Sequence, residues 1–168
     1  MAEPGWSDDQ SPFGGEAVGP NPTDRGKSGT KREILTDGYG VPLAVSVDGA
    51  NRHDMKMVKA TLDNRVAVAP ESQVQNLCLD KGFDYDEVRD LVKAYGYIAH
   101  IRSRGEENKD IADIPGYRAR RWVVERTHSW MNRFRRLLIR WEKNVENYLG
   151  MIYLACAIIA FRAAGVFG

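Results

Sequence analysis

The chain is short of the residues that mark the commoner chemistries. It has two cysteines in 168 residues, Cys78 and Cys156, each inside an apolar run and far from the other. With no C-x-x-C pair and no Cys/His cluster, a disulfide framework and a structural zinc site are excluded, and both thiols read as buried in a reducing compartment. The three histidines, His53, His100 and His128, have no metal-ligand spacing with one another or with a cysteine. The first residues, MAEPGWSDDQ, contain neither a basic stretch nor an apolar one, so no signal peptide is expected. The longest apolar run, Tyr148 to Phe161, is 14 residues and is closed by Arg162. That is short for a bilayer span and predicts a buried helix. These absences point to a cytoplasmic protein with no membrane attachment.

Charge is also scarce in the net, at +1, but it is unevenly spread. Between Tyr117 and Lys143 nine Arg or Lys face two Glu, about +7, which leaves about −6 on the remainder. A local basic stripe of this kind predicts a polyanionic partner better than overall charge does. Val123, Thr127, Trp130, Phe134, Leu137, Leu138 and Trp141 recur at helical spacing, so Arg120 to Lys143 is expected to be one long amphipathic helix. Its polar face carries Arg118, Arg121, Glu125, His128, Ser129, Asn132 and Arg136. Glu125 is either half of an ion pair with Arg121 or a metal-binding acid beside a polyanion. The three tryptophans of this segment, Trp122, Trp130 and Trp141, read most simply as core residues, with base stacking as a minor alternative.

Elsewhere the chain alternates strand and helix signals. Residues 1–30 hold six Gly and four Pro without apolar periodicity and are expected to be irregular. Residues 31–168 form the predicted domain. Arg32–Thr36 and Val41–Val47 flank Asp-Gly-Tyr-Gly, a hairpin signal. Asp54–Leu62 has helical spacing, with Asn51 or His53 near its cap. Gln73–Leu79 is a strand ending at Asp80-Lys81-Gly82. Tyr85–Tyr95 is an amphipathic helix with Gly96 at its C-terminal end. Tyr97–Ile101 is a further strand, Arg102–Gly116 a loop, and Val145–Ala163 the closing helix. Such an order predicts an α/β fold with helices packed on a sheet.

Asp80 closes an apolar strand, so its carboxylate would emerge at a sheet edge, where α/β folds place sites, or would form a turn. Glu125 follows 45 residues later. A strand-end acid and an acid on a helix packed against the same sheet could share a pair of divalent metals. Two weaker signals are set aside. The GKSGT stretch, Gly26–Thr30, lacks the first glycine of a phosphate-binding loop, because Asn21 stands there. His53 and Asp54 have no nucleophile elbow to serve and read as a helix start.

Three segments, GGEAVGPNPTDRGKSGTKREILTDGYGVPLAVSVDGANRHD, LCLDKGFDY and RWVVERTHSWMNRFRRLLIRWEK, together resemble the DDE transposases of the bacterial insertion-sequence-five type. The likeness runs from about Gly14 to the C-terminus. It implies an RNase H-like mixed sheet flanked by helices, two Mg²⁺ or Mn²⁺ ions, and cutting and joining of DNA at the ends of a mobile element. It also implies DNA (element ends and target) as partner, a homo-oligomer on DNA, and a nucleoid-associated location. Residue by residue, Asp80 matches the second metal-binding aspartate and Glu125 the glutamate. Arg121 matches the arginine of the family's Y-R-E-K signature, whose lysine position is Asn132 here and whose tyrosine position is Arg118. The first aspartate belongs about nine residues before the Gly14-Gly15 pair, where Gly5 stands. Asp8 and Asp9 lie nearer the pair and are the acids available to complete the set. Arg121, Arg126, Arg133 and Arg136 would contact DNA phosphates or support Glu125. Two expectations follow: a metal-dependent strand transferase using Asp80, Glu125 and Asp8 or Asp9, or an inactive, truncated remnant that only binds DNA. On either, the RNase H-like domain is expected to be incomplete at its N-terminus.

Overall fold

The computed structural model describes residues 3–67, 73–102 and 121–166. Three strands, β1 (Glu3–Gln10), β3 (Ser28–Thr36) and β4 (Pro42–Gly49), form an antiparallel sheet with β3 in the centre. A two-residue strand, β2 (Gly19–Pro20), pairs with the start of β3. After helix α1 (Asp54–Asp63), β5 (Gln75–Asp80) and β6 (Tyr97–Arg102) pair in parallel, connected through α2 (Asp86–Ala94). β1 packs beside β5, so the strands run β4, β3, β1, β5, β6 across the molecule. Three helices close the described chain: α3 (Arg121–Met131), the short α4 (Arg135–Leu138) and α5 (Val145–Ala163). The fold is mixed α/β, as the alternation of signals predicts.

Alternation along the strands builds two cores. On one face Leu35 and Ala44 join Val58, Leu62, Leu77, Leu79, Val88 and Val92 under α1 and α2. On the other, Ile34 and Val45 join Met131, Leu137, Tyr148 and Ile152 under α3, α4 and α5. Each fully buried aliphatic side chain contributes about 1.5–3 kcal/mol, so both helical layers are held mainly by burial. The β3–β4 hairpin forms at the expected residues. The Asp37 carboxylate accepts the amides of Tyr39 at 2.8 Å and Val41 at 2.9 Å, and Gly40 takes the positive φ (83°) that the turn needs. α1 starts at His53, whose Nδ1 accepts the Met55 amide at 3.4 Å, and Gly96 follows α2 with a φ of 82°. The expected loop Arg102–Gly116 lies, after its first residue, outside the described residues, as does Arg118.

Three expectations are corrected. The Gly/Pro-rich start is not irregular throughout: β1 spans eight residues of it, in register with β3 from Glu3↔Thr36 to Gln10↔Gly29. EPGWSDDQ has no apolar alternation to reveal a strand; it is made one by the backbone partners that β3 offers and by a buried ion pair at Asp9. The arginine-rich segment is not one helix. α3 ends at Met131, the turn tightens through Arg133 N–H to Trp130 O (3.2 Å) and Phe134 N–H to Met131 O (2.9 Å), and a single turn, α4, follows. Ile139 then lies parallel to Gln10, and the Arg140 amide donates to the Gln10 carbonyl at 2.8 Å. Helical side-chain spacing persists in the sequence, but the edge of β1 captures the backbone. Leu138 and Trp141, expected on the buried face, are in consequence exposed.

The apolar C-terminal run is likewise only half buried. α5 has 19 residues and is long and apolar enough, by length and composition, to cross a membrane. Its Tyr148, Ile152, Ala155 and Ile159 seam is in the core, while Tyr153, Leu154 and Phe161 face outward. Its start is well fixed: Asn144 Oδ1 accepts the Asn147 amide at 3.1 Å and Glu16 Oε2 accepts that of Val145 at 3.0 Å. A cap of this kind is worth about 1 kcal/mol.

Candidate functional site

Strand alternation places the candidate acids. Leu77 and Leu79 enter the α1/α2 core, so Asp80 falls on the opposite side of β5, the side of α3 and α5. It is exposed, extended (φ −69°, ψ 157°), and its Oδ1 accepts the Lys81 amide at 2.8 Å as it caps the short turn Lys81–Phe83. The turn-forming role and the exposed strand-end carboxylate are therefore both present in one residue. Glu125 is exposed on α3, and its carbonyl accepts from Ser129 Oγ at 3.0 Å.

β1 touches both elements that carry these acids, packing beside β5 and against α3. Cross-strand partners share a face, so Gly5 (opposite Ile34), Ser7 (opposite Arg32) and Asp9 (opposite Thr30) lie on the α3 side. Asp8, opposite Lys31, lies on the α1/α2 side, half-buried, with Thr23 Oγ1 at 3.5 Å. Asp8 and Asp9 thus fall on opposite faces of the sheet.

Asp9 is committed inward. It is buried, accepts the Tyr148 hydroxyl at 2.6 Å on Oδ2, and has Arg32 Nη1 3.4 Å from the same oxygen. Burial pushes its carboxyl up to about 6, with the neighbouring Asp8 adding to the rise; Arg32, Tyr148 and Arg140 pull the other way. Arg32, itself buried, also donates to Ser7 Oγ and to Asn132 Oδ1, each at 3.0 Å. The residue at the signature's lysine position therefore joins a network that ties α3 to β3 and β1. Sequence reasoning missed Arg32, Tyr148 and Arg140 altogether; arginines and a tyrosine in otherwise apolar runs were the available signal.

The basic residues divide into structural and exposed. Arg126 is sandwiched between the rings of Trp122 (4.4 Å) and Trp130 (4.7 Å) and donates to the Tyr39 carbonyl. Arg140, 1% exposed, donates to Thr30 Oγ1 (2.7 Å) and to the carbonyls of Glu16 (2.6 Å), Ala17 (3.2 Å) and Glu142 (2.9 Å). Arg133, Arg135 and Arg136 are exposed, the last paired with Glu142 at 2.6 Å. The Arg121 side chain lies outside the described residues.

The candidate donors for a divalent metal differ in what their carboxylates already hold. Among the described residues no group of three or more His, Cys, Asp or Glu could hold an ion. Asp80 and Glu125 are chemically suitable oxygen donors, but Asp9 spends its carboxylate on Tyr148 and Arg32, and Asp8 faces away. His100 is bound to Asn76 at 2.7 Å between β5 and β6, and His128 is buried in α3.

Comparison with known proteins gives a consistent result. Residues 7–160 match the family described as the transposase DDE domain. A Burkholderia cepacia protein assigned as a transposase for insertion sequence element IS402 is 33% identical over 159 residues, covering 92% of this chain and 73% of the relative. A Brucella ovis protein assigned likewise for insertion sequence element IS6501 is 23% identical over 135 residues, 79% of this chain and 98% of the relative. By the family match over residues 7–160 and the likeness to the Burkholderia cepacia protein, this chain belongs to the transposase DDE domain family.

Proposed function

We propose that this chain is a DNA-binding transposase domain, with the RNase H-like arrangement of strands, that retains two of the three carboxylates of a metal-dependent cleavage and strand-transfer site. Asp80 and Glu125 are the two. The exposed arginines Arg133, Arg135 and Arg136 would hold the phosphate backbone, while Arg126 steadies α3 through its two tryptophans. The strand order β4, β3, β1, β5, β6, antiparallel in its first part and parallel at β5–β6, supports the fold assignment.

The observation that carries this reading is that β1 contacts both acid-bearing elements; the family resemblance puts its first aspartate where Gly5 stands on that strand, opposite Ile34. Asp9, on the α3 side of β1, does not replace it, because its carboxylate is buried against Tyr148 and Arg32. A pair of divalent ions in such a site would activate the attacking oxygen and stabilise the leaving one. Among the described residues no group of three or more His, Cys, Asp or Glu is placed to hold such an ion. Binding without cleavage is therefore favoured over strand transfer by this chain alone.

A gel-shift titration against salt, run beside nicking of a supercoiled plasmid in Mn²⁺, tests the proposal. Steeply salt-dependent binding without nicking supports it. Nicking that Asp80→Asn and Glu125→Gln abolish would establish the active reading instead, and absence of any salt-dependent binding would remove both.

A further inference from the structure

Two large aromatic side chains are held side by side in water at the end of β1. Phe13 is 62% exposed and Trp141 47%, with ring centroids 5.3 Å apart and planes tilted by 51°. They come from segments far apart in sequence, the loop after β1 and the extended stretch after α4. These segments are clasped by backbone: Arg140 N–H to Gln10 O at 2.8 Å and Glu16 N–H to Lys143 O at 2.9 Å. The buried Arg140 guanidinium spans the same junction through the Glu16 carbonyl at 2.6 Å. Gly15 lies so close that a Cβ there would stand 2.4 Å from the Lys143 carbonyl oxygen. The aromatic pair is thus displayed on a rigid base.

The stretch that carries Trp141 is cationic, while Glu16, exposed three residues after Phe13, accepts the Val145 amide. Arg133, Arg135, Arg136 and Lys143 are exposed within eleven residues, and the acid among them, Glu142, is neutralised by Arg136 at 2.6 Å. Exposed aromatic faces on a stretch rich in exposed cations match a polyanion that also carries π-faces. Bases within a duplex offer only their edges in the grooves, whereas an unpaired base offers a face.

We propose that Phe13 and Trp141 form a stacking step for an unpaired nucleobase of bound DNA, as found at a strand end, a nick or a distorted junction. The proposal rests on the DNA-binding reading above. The surrounding arginines supply affinity for phosphate that is blind to pairing, and the aromatic pair adds preference for DNA with an unstacked base.

Fluorescence anisotropy of two end-labelled DNAs tests this with the full chain: a perfect duplex, and the same duplex bearing one unpaired adenine. The native chain should favour the second. Phe13→Ala and Trp141→Ala should each reduce that preference, by about fivefold to a hundredfold if stacking is lost outright. Duplex affinity and its salt dependence should stay in place, and Trp141→Phe should keep most of the preference. Phe13→Ala removes a side chain that is largely in solvent, so it reports on stacking even if Trp141→Ala perturbs folding. Equal native affinity for the two DNAs, or a preference that survives both alanine variants, would overturn the stacking role and leave DNA binding intact. Loss of self-association in Trp141→Ala, seen by sedimentation, with an unchanged DNA preference would overturn it in favour of contact between copies. No salt-dependent binding to either DNA would overturn the DNA reading itself.

Discussion

Tyr148 donates its hydroxyl to Oδ2 of Asp9 across 2.6 Å, joining residues 139 apart in the chain. The bond pins α5 to the end of β1 and turns an acid of the candidate set into part of the core. Its consequence is a specific pH signature. The Asp9 carboxyl is raised from an ordinary 3.8 to about 6, mainly by burial. A raised carboxyl favours the folded state fully below about 4, and that contribution is lost as pH climbs through about 6. Asp63 and Asp84, both lowered by hydrogen bonds from lysine and other neighbours, act in the opposite sense. The difference between native chain and Asp9→Asn therefore isolates the effect. Urea denaturation from pH 4 to 7 should show the native chain losing up to about 3 kcal/mol relative to Asp9→Asn, at about 1.4 kcal/mol for each tenfold change in proton affinity.

Arg140 organises the junction of β1, the glycine loop and the start of α5. Arg140→Met keeps much of the volume but leaves the Glu16 and Glu142 carbonyls without this donor, while Ala17 keeps Thr30. At about 1–3 kcal/mol for each buried group left unpaired, a loss of about 3 kcal/mol or more is expected. A lowered urea midpoint would show it.

Gly40 sits at a φ of 83° under α3, where a Cβ would meet Thr127 Oγ1 at 2.9 Å and Arg126 Nη2 at 3.1 Å. Gly40→Ala should destabilise by about 1–3 kcal/mol through backbone strain and crowding of this contact. The Arg126–tryptophan stack should loosen with it, and tryptophan emission would report the change.

On the proposed reading Arg133 and Arg135, with Arg136, hold DNA phosphates. Replacing either with alanine should weaken duplex binding for all sequences and lower the slope of log K against log salt by about 1. Arg126→Ala should instead act chiefly on stability, since its guanidinium is held between Trp122 and Trp130.

Much of this architecture is legible in the sequence, for identifiable reasons. The hairpin at Asp37–Gly40, the helix start at His53, the end of β5 at Asp80 and the bounds of α5 are written in local turn, cap and periodicity signals. β1 is not, because EPGWSDDQ has no apolar alternation and is made a strand by β3. The break after Met131 is also hidden: the helical spacing of Phe134, Leu137, Leu138 and Trp141 continues, while tertiary pairing of Arg140 with Gln10 draws the chain out straight. Asp80 and Glu125 are named as candidates from motif and position, and the structure puts them at the end of β5 and on α3. The burial of Asp9 could not, since it depends on Arg32 and Tyr148 arriving from elsewhere in the chain.

On the proposed reading, Asp80 and Glu125 hold two corners of a site whose third, on β1, is occupied by Gly5. Plasmid nicking in Mn²⁺ by Gly5→Asp tests this most directly. The native chain should bind the plasmid without cutting it, and Gly5→Asp should introduce Mn²⁺-dependent nicking that Asp80→Asn or Glu125→Gln removes. Mn²⁺-dependent nicking by the native chain that Asp80→Asn or Glu125→Gln abolishes, or no nicking by Gly5→Asp, would contradict it.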